Sequence, residues 1–232
     1  MARAGNPPEE GTARLTDIAV LRGLVRIDLG AGSATRPRMN PVSISTLTIC
    51  GLEELDYHSA RGVTHVLSIL DPDWPEPQAF WAYDPHHRTT LHFHDAIEPA
   101  PGIVLPEQAH VAEILRFGTS LRQTAAEGVE GHLLVHCHMG VSRSTAAMAM
   151  LLAQVHPEED EDWVMNRLLG IRPQAWPNLR MIEFADELLN RSDRLTAAAG
   201  RLYSRQLSAK PHLDDVMRRH GRGREVELGR RS

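Results

Sequence analysis

The stretch HLLVHCHMGVSRSTAAMAMLLAQ, residues 132–154, decides how the rest of the chain is read. His132 to His136 is a short apolar run and predicts a buried strand that ends at Cys137. Ser142 to Gln154 is rich in Ala, Met and Leu and polar only at its start, so it predicts a helix with no solvent face. Between them lies His136-Cys137-His138-Met139-Gly140-Val141-Ser142-Arg143-Ser144. A loop that leaves a strand and enters a helix can turn several backbone N–H groups inward, with the helix dipole beneath them, and so cradle a tetrahedral oxyanion. Gly140 lets such a backbone turn without a Cβ clash. Arg143, in the first helical turn, can fold back and grip two phosphate oxygens with its planar fork. The same amides and the same guanidinium favour the thiolate form of Cys137, which makes it the candidate nucleophile.

Outward from this loop, short β-rich runs alternate with helical patterns. Ser43 to Ile49, Val63 to Leu70 and Thr89 to His94 read as strands, and Leu52 to Arg61 as a short helix. Pro72, Pro75, Pro77 and Pro85 punctuate the loop between the last two strands. Pro106 opens a helical pattern that runs to Gly128; Glu159 to Leu169 and Asn178 to Asn190 are further helices, the second with Asn178 as its N-cap. Strands alternating with helices argue for an α/β layer structure with a central sheet.

Composition narrows the function classes. The chain has 232 residues, 42% of them apolar, enough for a real core, and two cysteines, too few for a disulfide scaffold. Cys50 reads as an ordinary buried cysteine. The longest apolar run, Ala146 to Ala153, falls far short of the roughly 20 residues that span a bilayer, so a soluble, cytoplasmic protein with no membrane partner is expected. Charge is unevenly placed. Residues 39–205 carry twelve Arg against twenty-two acidic residues, whereas residues 1–38 and 206–232 are net basic. An acidic body argues against nucleic-acid binding, which is driven by clustered basic side chains. Arg218, Arg219, Arg222, Arg224, Arg230 and Arg231 form the one basic cluster, expected to be a solvated terminus. The division is therefore a flexible extension over 1–40, a domain over 41–205 and a basic flexible tail over 206–232. Met39 sits where the regular pattern begins and is read as a candidate start of translation.

The pattern H-C-x-x-G-x-x-R-S resembles the signature of the cysteine-dependent protein tyrosine and dual-specificity phosphatases, of bacterial type here. Two further stretches are similar to those of dual-specificity phosphatases. Gly62-Val63-Thr64-His65-Val66-Leu67-Ser68-Ile69 looks like their G-I-T-H-V-L-N strand, and Arg172-Pro173 with Pro177-Asn178 looks like their R-P…P-N segment beside the phosphate loop. The resemblance spans roughly residues 43–190 and implies a phosphotyrosine-phosphatase-like α/β fold, its central sheet flanked by helices. It also implies a two-step hydrolysis through a phosphocysteine at Cys137, with no metal and no cofactor. Arg143 and the loop amides of His138, Met139, Gly140, Val141, Ser142 and Arg143 would hold the phosphate oxygens. Ser144 would stabilise the leaving thiolate. His136 and Asn178 would brace the loop, His136 not acting as a base.

The resemblance further calls for an Asp that protonates the leaving oxygen. Asp71, Asp73, Asp84 and Asp95 lie upstream. Asp95 is chosen, because it follows the strand Thr89 to His94 and enters the loop Glu98-Pro99-Ala100-Pro101-Gly102; Asp71, also at a strand end, is the reserve. The expected substrate is a phosphorylated protein or small phosphate monoester, phosphotyrosine first, with phosphoserine or phosphothreonine beside it. Nucleotides and the 5′ end of RNA remain alternatives. A phosphoinositide is less favoured, because no Lys or Arg lies between Cys137 and Arg143. A non-catalytic binder of phosphorylated ligands is the rival from another class. The pairs His92/His94, His136/His138 and His86-His87 raise a metal site, against which hydrogen-bonded strand histidines are preferred. Trp176 is read equally as core or as a wall of the cleft.

Overall fold

The computed structural model describes residues 12–14, 44–123 and 131–232. The chain is a mixed α/β protein with a five-stranded sheet. Its strands are β1 (Thr12–Arg14), β2 (Ile44–Cys50), β3 (His65–Leu70), β4 (His87–His92) and β5 (Gly131–His136), in spatial order β1-β2-β5-β3-β4. β2, β5, β3 and β4 are mutually parallel, and β1 pairs antiparallel to β2 at the edge. The helices are α1 (Leu55–His58), α2 (Gln108–Gln123), α3 (Arg143–Val155), α4 (Glu161–Ile171), α5 (Leu179–Leu188), α6 (Arg194–Ala209), α7 (Leu213–Arg219) and α8 (Gly223–Arg231).

Every residue of β3 and β5 is buried, as parallel strands covered on both faces require. Alternate side chains serve two unequal layers. Leu67, Ile69, Leu133 and Val135 join the large helical core with α3, whereas Val66 and Leu134 pack with Cys50, Leu55 and Phe80 in a thin layer. The thin layer consists of α1 and the 3₁₀ turns Leu52–Glu54 and Gln78–Ala82. α3 is buried from Arg143 to Ala153 and lies against β5, β2 and β3. Its lack of a polar face is the residue-level cause of this central place.

Several elements depart from the sequence expectations. β4 begins two residues earlier than Thr89, because the His87 N–H already pairs with the Thr64 carbonyl at 2.9 Å. The segment expected as one helix from Leu52 to Arg61 is a 3₁₀ turn followed by α1. α4 starts at Glu161, since Asp160 takes the N-cap place by accepting from the Trp163 N–H at 2.7 Å. The end of the helix expected to reach Gly128 lies outside the described residues. So do the extension over 1–40, apart from β1, and the question of Met39.

The largest correction concerns residues 206–232. They are not a flexible tail: α6 runs on to Ala209, α7 and α8 follow, and α8 packs along α6. Gly200 and Gly229 bring the two helices close, for a Cβ at Gly229 would lie 2.8 Å from Tyr203 Cβ and 3.0 Å from the Ser204 nitrogen. Val226 and Glu225 are fully buried. Four of the six arginines expected to be solvated are in ion pairs, Arg218 with Asp214 and Glu227, Arg222 with Asp95 and Glu225, Arg224 with Glu98 and Glu183, and Arg230 with Asp214, while Arg219 and Arg231 are exposed.

Candidate active site

The site is built at the C-terminal end of β5, where Cys137 leaves the sheet, and at the first turn of α3. The loop is held open by its carbonyls. The His138 carbonyl accepts from the Leu52 N–H at 3.0 Å and the Val141 carbonyl from the Trp176 N–H at 2.9 Å. The Ser142 carbonyl accepts from Ala146 and Asn178. Arg172 donates to the Met139 and Gly140 carbonyls at 3.2 and 3.0 Å, and its fork is fixed by both oxygens of Glu54 at 2.8 and 2.9 Å. With each carbonyl from His138 to Ser142 bonded outward, no amide N–H from His138 to Arg143 has an acceptor among the described residues. Gly140 makes the turn at φ +66°, where a Cβ would lie 2.5 Å from the Cys50 carbonyl carbon.

The helix N-terminus is kept free in the same way. Ser142 stands at the N-cap of α3 but makes no capping bond; its hydroxyl donates instead to Asp95 Oδ1 at 2.7 Å. The first-turn amides that a capping serine normally satisfies are left available to an anion.

Cys137 is buried at the base of the loop, 2% exposed, and its Sγ lies 3.2 Å from the Ser144 Oγ. His136 is bonded through Nε2 to Ser68 Oγ of β3 at 2.7 Å. Burial above all pushes its ring down to about 3, so it is a neutral brace between strands. Arg143 donates through one nitrogen to Asp71 Oδ1 at 2.7 Å and to the Phe93 carbonyl at 2.5 Å. Its Nε is buried without a partner among the described residues. Both acids singled out in the sequence thus meet at the loop, Asp71 on Arg143 and Asp95 on Ser142. Asp95 Oδ1 also accepts from Asn178 Nδ2 at 2.9 Å and from Arg222 at 3.1 Å. Burial pushes its carboxyl up, but the charges of Arg222 and Arg143, with the bonds from Ser142 and Asn178, outweigh it and hold Asp95 below the ordinary carboxylate range. Asn178 caps α5 through the Met181 N–H, as expected, while its amide group reaches Asp95 and the Ala96 carbonyl.

Of the residues named from the sequence, the amides of His138 to Arg143 line one loop, but the side chains differ. Met139 is 73% exposed, the Ser142 hydroxyl is occupied by Asp95, and His138 packs its ring against Trp74 at 4.4 Å while accepting from the Asp71 N–H. Burial, then Arg143, lowers His138 below its ordinary value. Trp176 is core: it stacks on Tyr203 and donates to Glu225 Oε2 at 2.6 Å. Among the described residues no group of three or more His, Cys, Asp or Glu could hold a metal ion. Sequence reading missed the Arg172–Glu54 clamp, the Trp74 rim, and Arg222 with Glu225. Only Arg172 had left a signal, in the R-P…P-N segment.

The fold and this loop define an α/β chain with a cysteine beneath an amide cradle and an arginine at its side. No family model and no curated protein matches the chain. Solved structures similar to it include human DUSP28, with a TM-score of 0.47 at 15% identity, covering 63% of this chain and 93% of that one. The Yvh1 phosphatase domain from Chaetomium thermophilum aligns with a TM-score of 0.43 at 23% identity, covering 64% and 93% of the two chains. The human tyrosine phosphatase-like serine/threonine/tyrosine-interacting protein does so at 0.48 and 17%, covering 67% and 99%.

Proposed function

We propose that the chain is a cysteine-dependent phosphatase that hydrolyses phosphate monoesters, phosphotyrosine on proteins before others. The observation that supports this reading is the bonding of every carbonyl from His138 to Ser142 to groups outside the loop, while the amides of His138 to Arg143, between Cys137 and α3, have no acceptor among the described residues. Such a set of amides fits a phosphoryl group whose charge spreads over equatorial oxygens in the transition state.

In the first step the Cys137 thiolate attacks phosphorus, the P–O bond to the leaving group breaks, and Asp95 gives its proton to that oxygen. In the second step the Asp95 carboxylate takes a proton from water, which attacks the phosphocysteine. The S–P bond then breaks and the thiolate leaves, with the Ser144 hydroxyl at 3.2 Å placed to donate to it. Asp71, paired with Arg143, orients the guanidinium before substrate arrives. Trp74, 45% exposed beside His138, supplies an aromatic wall at the mouth on which a phosphotyrosine ring can stack.

Turnover of p-nitrophenyl phosphate and of phosphotyrosine and phosphoserine peptides in EDTA tests the reading. The parent is expected to act, Cys137→Ser to be inert, and Asp95→Asn to lose about 10²-fold or more on the tyrosine ester. A parent that binds phosphopeptide without turnover would make the chain a binder. A rate that survives Asp95→Asn but falls with Asp71→Asn would move the acid to Asp71.

A further inference from the structure

The C-terminal helices meet the site at its acid. The segment from the end of α7 into the start of α8 places two arginines on the loop that follows β4. Arg222 reaches Asp95, and Arg224 Nε reaches Glu98 Oε1 at 2.9 Å while also bridging to Glu183 of α5. Arg222 is 5% exposed and is itself fixed from behind. One of its nitrogens donates both to Ser142 Oγ at 3.0 Å and to Glu225 Oε1 at 2.6 Å. Glu225, fully buried, accepts further bonds from the Leu179 N–H at 2.9 Å and from Trp176 Nε1. This chain of contacts ties the phosphate loop, the α5 cap and the acid loop to one guanidinium. Such a pair is costly to bury unless its hydrogen bonds are well made, and here the carboxylate is saturated by an amide, an indole and an arginine.

The bonds on Asp95 are one-sided. Ser142, Asn178 and Arg222 all donate to Oδ1, whereas Oδ2 has no partner among the described residues. A carboxyl group held this way keeps its exchangeable proton on Oδ2.

We propose that Arg222 is a positioning residue for the acid of the reaction: from the N-cap of α8 it fixes Asp95 through Oδ1, presenting Oδ2 to the leaving oxygen. The proposal rests on the phosphatase reading and on Asp95 as its acid. In the first step the Oδ2 proton passes to the departing oxygen as the P–O bond breaks, and Oδ2 recovers a proton from the attacking water in the second. Arg222 neither gains nor loses one. The charged and titratable groups around Asp95 are Arg222 before α8, Arg143 at the start of α3, His138 in the phosphate loop and His94 next to Asp95 in sequence after β4, with Glu225 behind Arg222. Removing the Arg222 charge relieves the force that keeps Asp95 ionised.

The test measures kcat/KM against pH on a phosphotyrosine peptide and on p-nitrophenyl phosphate, with circular dichroism to check the fold. The variants are Arg222→Gln, Arg222→Lys and the charge-neutral pair R222Q/E225Q. The pair removes both buried charges together, so neither is left unpaired. The alkaline limb of the profile, where the acid loses its proton, is expected to move to about tenfold lower proton concentration in R222Q and R222Q/E225Q. The plateau rate on the peptide is expected to fall about tenfold or more, with a smaller loss on p-nitrophenyl phosphate, whose better leaving group needs less help from an acid. Arg222→Lys should keep the limb in place. In an Asp95→Asn background R222Q should add little, because the residue it positions is already silent. An unmoved limb in the folded charge-neutral pair, or a full and additive loss in the Asp95→Asn background, would overturn the proposal. A parent that turns over nothing would overturn the phosphatase reading instead. A carboxyl ¹³C titration of Asp95 in parent and R222Q/E225Q still reads the contact in that event, with an unchanged midpoint counting against it.

Discussion

At Gly140 the backbone decides the chemistry. Two constraints meet there: φ is +66°, and the space a Cβ needs is filled by the backbone of Cys50 and Gly51 at 2.5–2.7 Å. The backbone angle alone is tolerable, since an ordinary residue in the left-handed region costs roughly 1–2 kcal/mol, but the overlap with backbone atoms is not. Together they require β2 or the loop itself to move, and the loop amides move with it. Gly62 separates the two effects, with φ +63° and nothing within 4 Å of its Cβ position. Gly62→Ala is expected to lower stability by about 1 kcal/mol with full turnover, whereas Gly140→Ala loses more than that and at least about 10²-fold in kcat. Thermal unfolding and p-nitrophenyl phosphate kinetics on the two variants check it, and equal rates would mean that the loop tolerates the displacement. The layout of this loop was legible because Cys137, Gly140, Arg143 and Ser144 all belong to one nine-residue run between a strand and a helix. Arg222 was not legible, being 127 positions from the carboxylate it serves.

At the scale of elements, the N-terminus of α5 does two jobs with one side chain. Asn178 Oδ1 accepts from the Met181 N–H, closing the cap, and Nδ2 donates to Asp95, linking α5 to the acid loop. Aspartate can do the first and not the second. Asn178→Asp is therefore expected to keep most of the cap's stability while placing a second carboxylate against Asp95. That repulsion raises the Asp95 carboxyl and shifts the alkaline limb of kcat/KM upward. Asn178→Ala loses both, about 0.5–2 kcal/mol of stability with a smaller shift of the limb. Limbs that coincide in the two variants would separate Asn178 from the acid. The cap itself was legible from the sequence as an Asn ahead of an apolar helix, and β3 and β5 were legible as unbroken apolar runs. α7 and α8 were hidden because arginines interleaved with acids look the same in solvent and in intramolecular pairs. Only the neighbours, such as Asp214 and Glu227 around Arg218, tell the two apart.

Over the whole molecule the charge map changes meaning once the pairs are known. Of the basic C-terminal residues that suggested a free arm, Arg222 and Arg224 pair with acids of the body and Arg218 with acids of its own segment, and the helices carrying them complete the large core. Val226 is fully buried between α8 and its neighbours, Gly200 lies under Leu228, and Tyr203 is covered by Gly229. Removing residues 210–232 therefore does more than shorten a terminus. Burial of one side chain the size of valine is worth about 1.5–3 kcal/mol, and the partly covered Leu213, Met217 and Leu228 add to it, so the loss is expected to reach about 3 kcal/mol or more. At roughly 2–4 °C per kcal/mol for a chain of this size, the midpoint should fall by about 6 °C or more. The emission of the newly exposed Trp176 should move to the red. The same cut removes Arg222 and Arg224, so turnover of a phosphotyrosine peptide should fall further than that of p-nitrophenyl phosphate even below the new midpoint. A truncated chain that melted and turned over as the parent does would return the last two helices to the role of a passive tail; losing stability with the two substrates equally affected would leave them structural, without a hold on the acid.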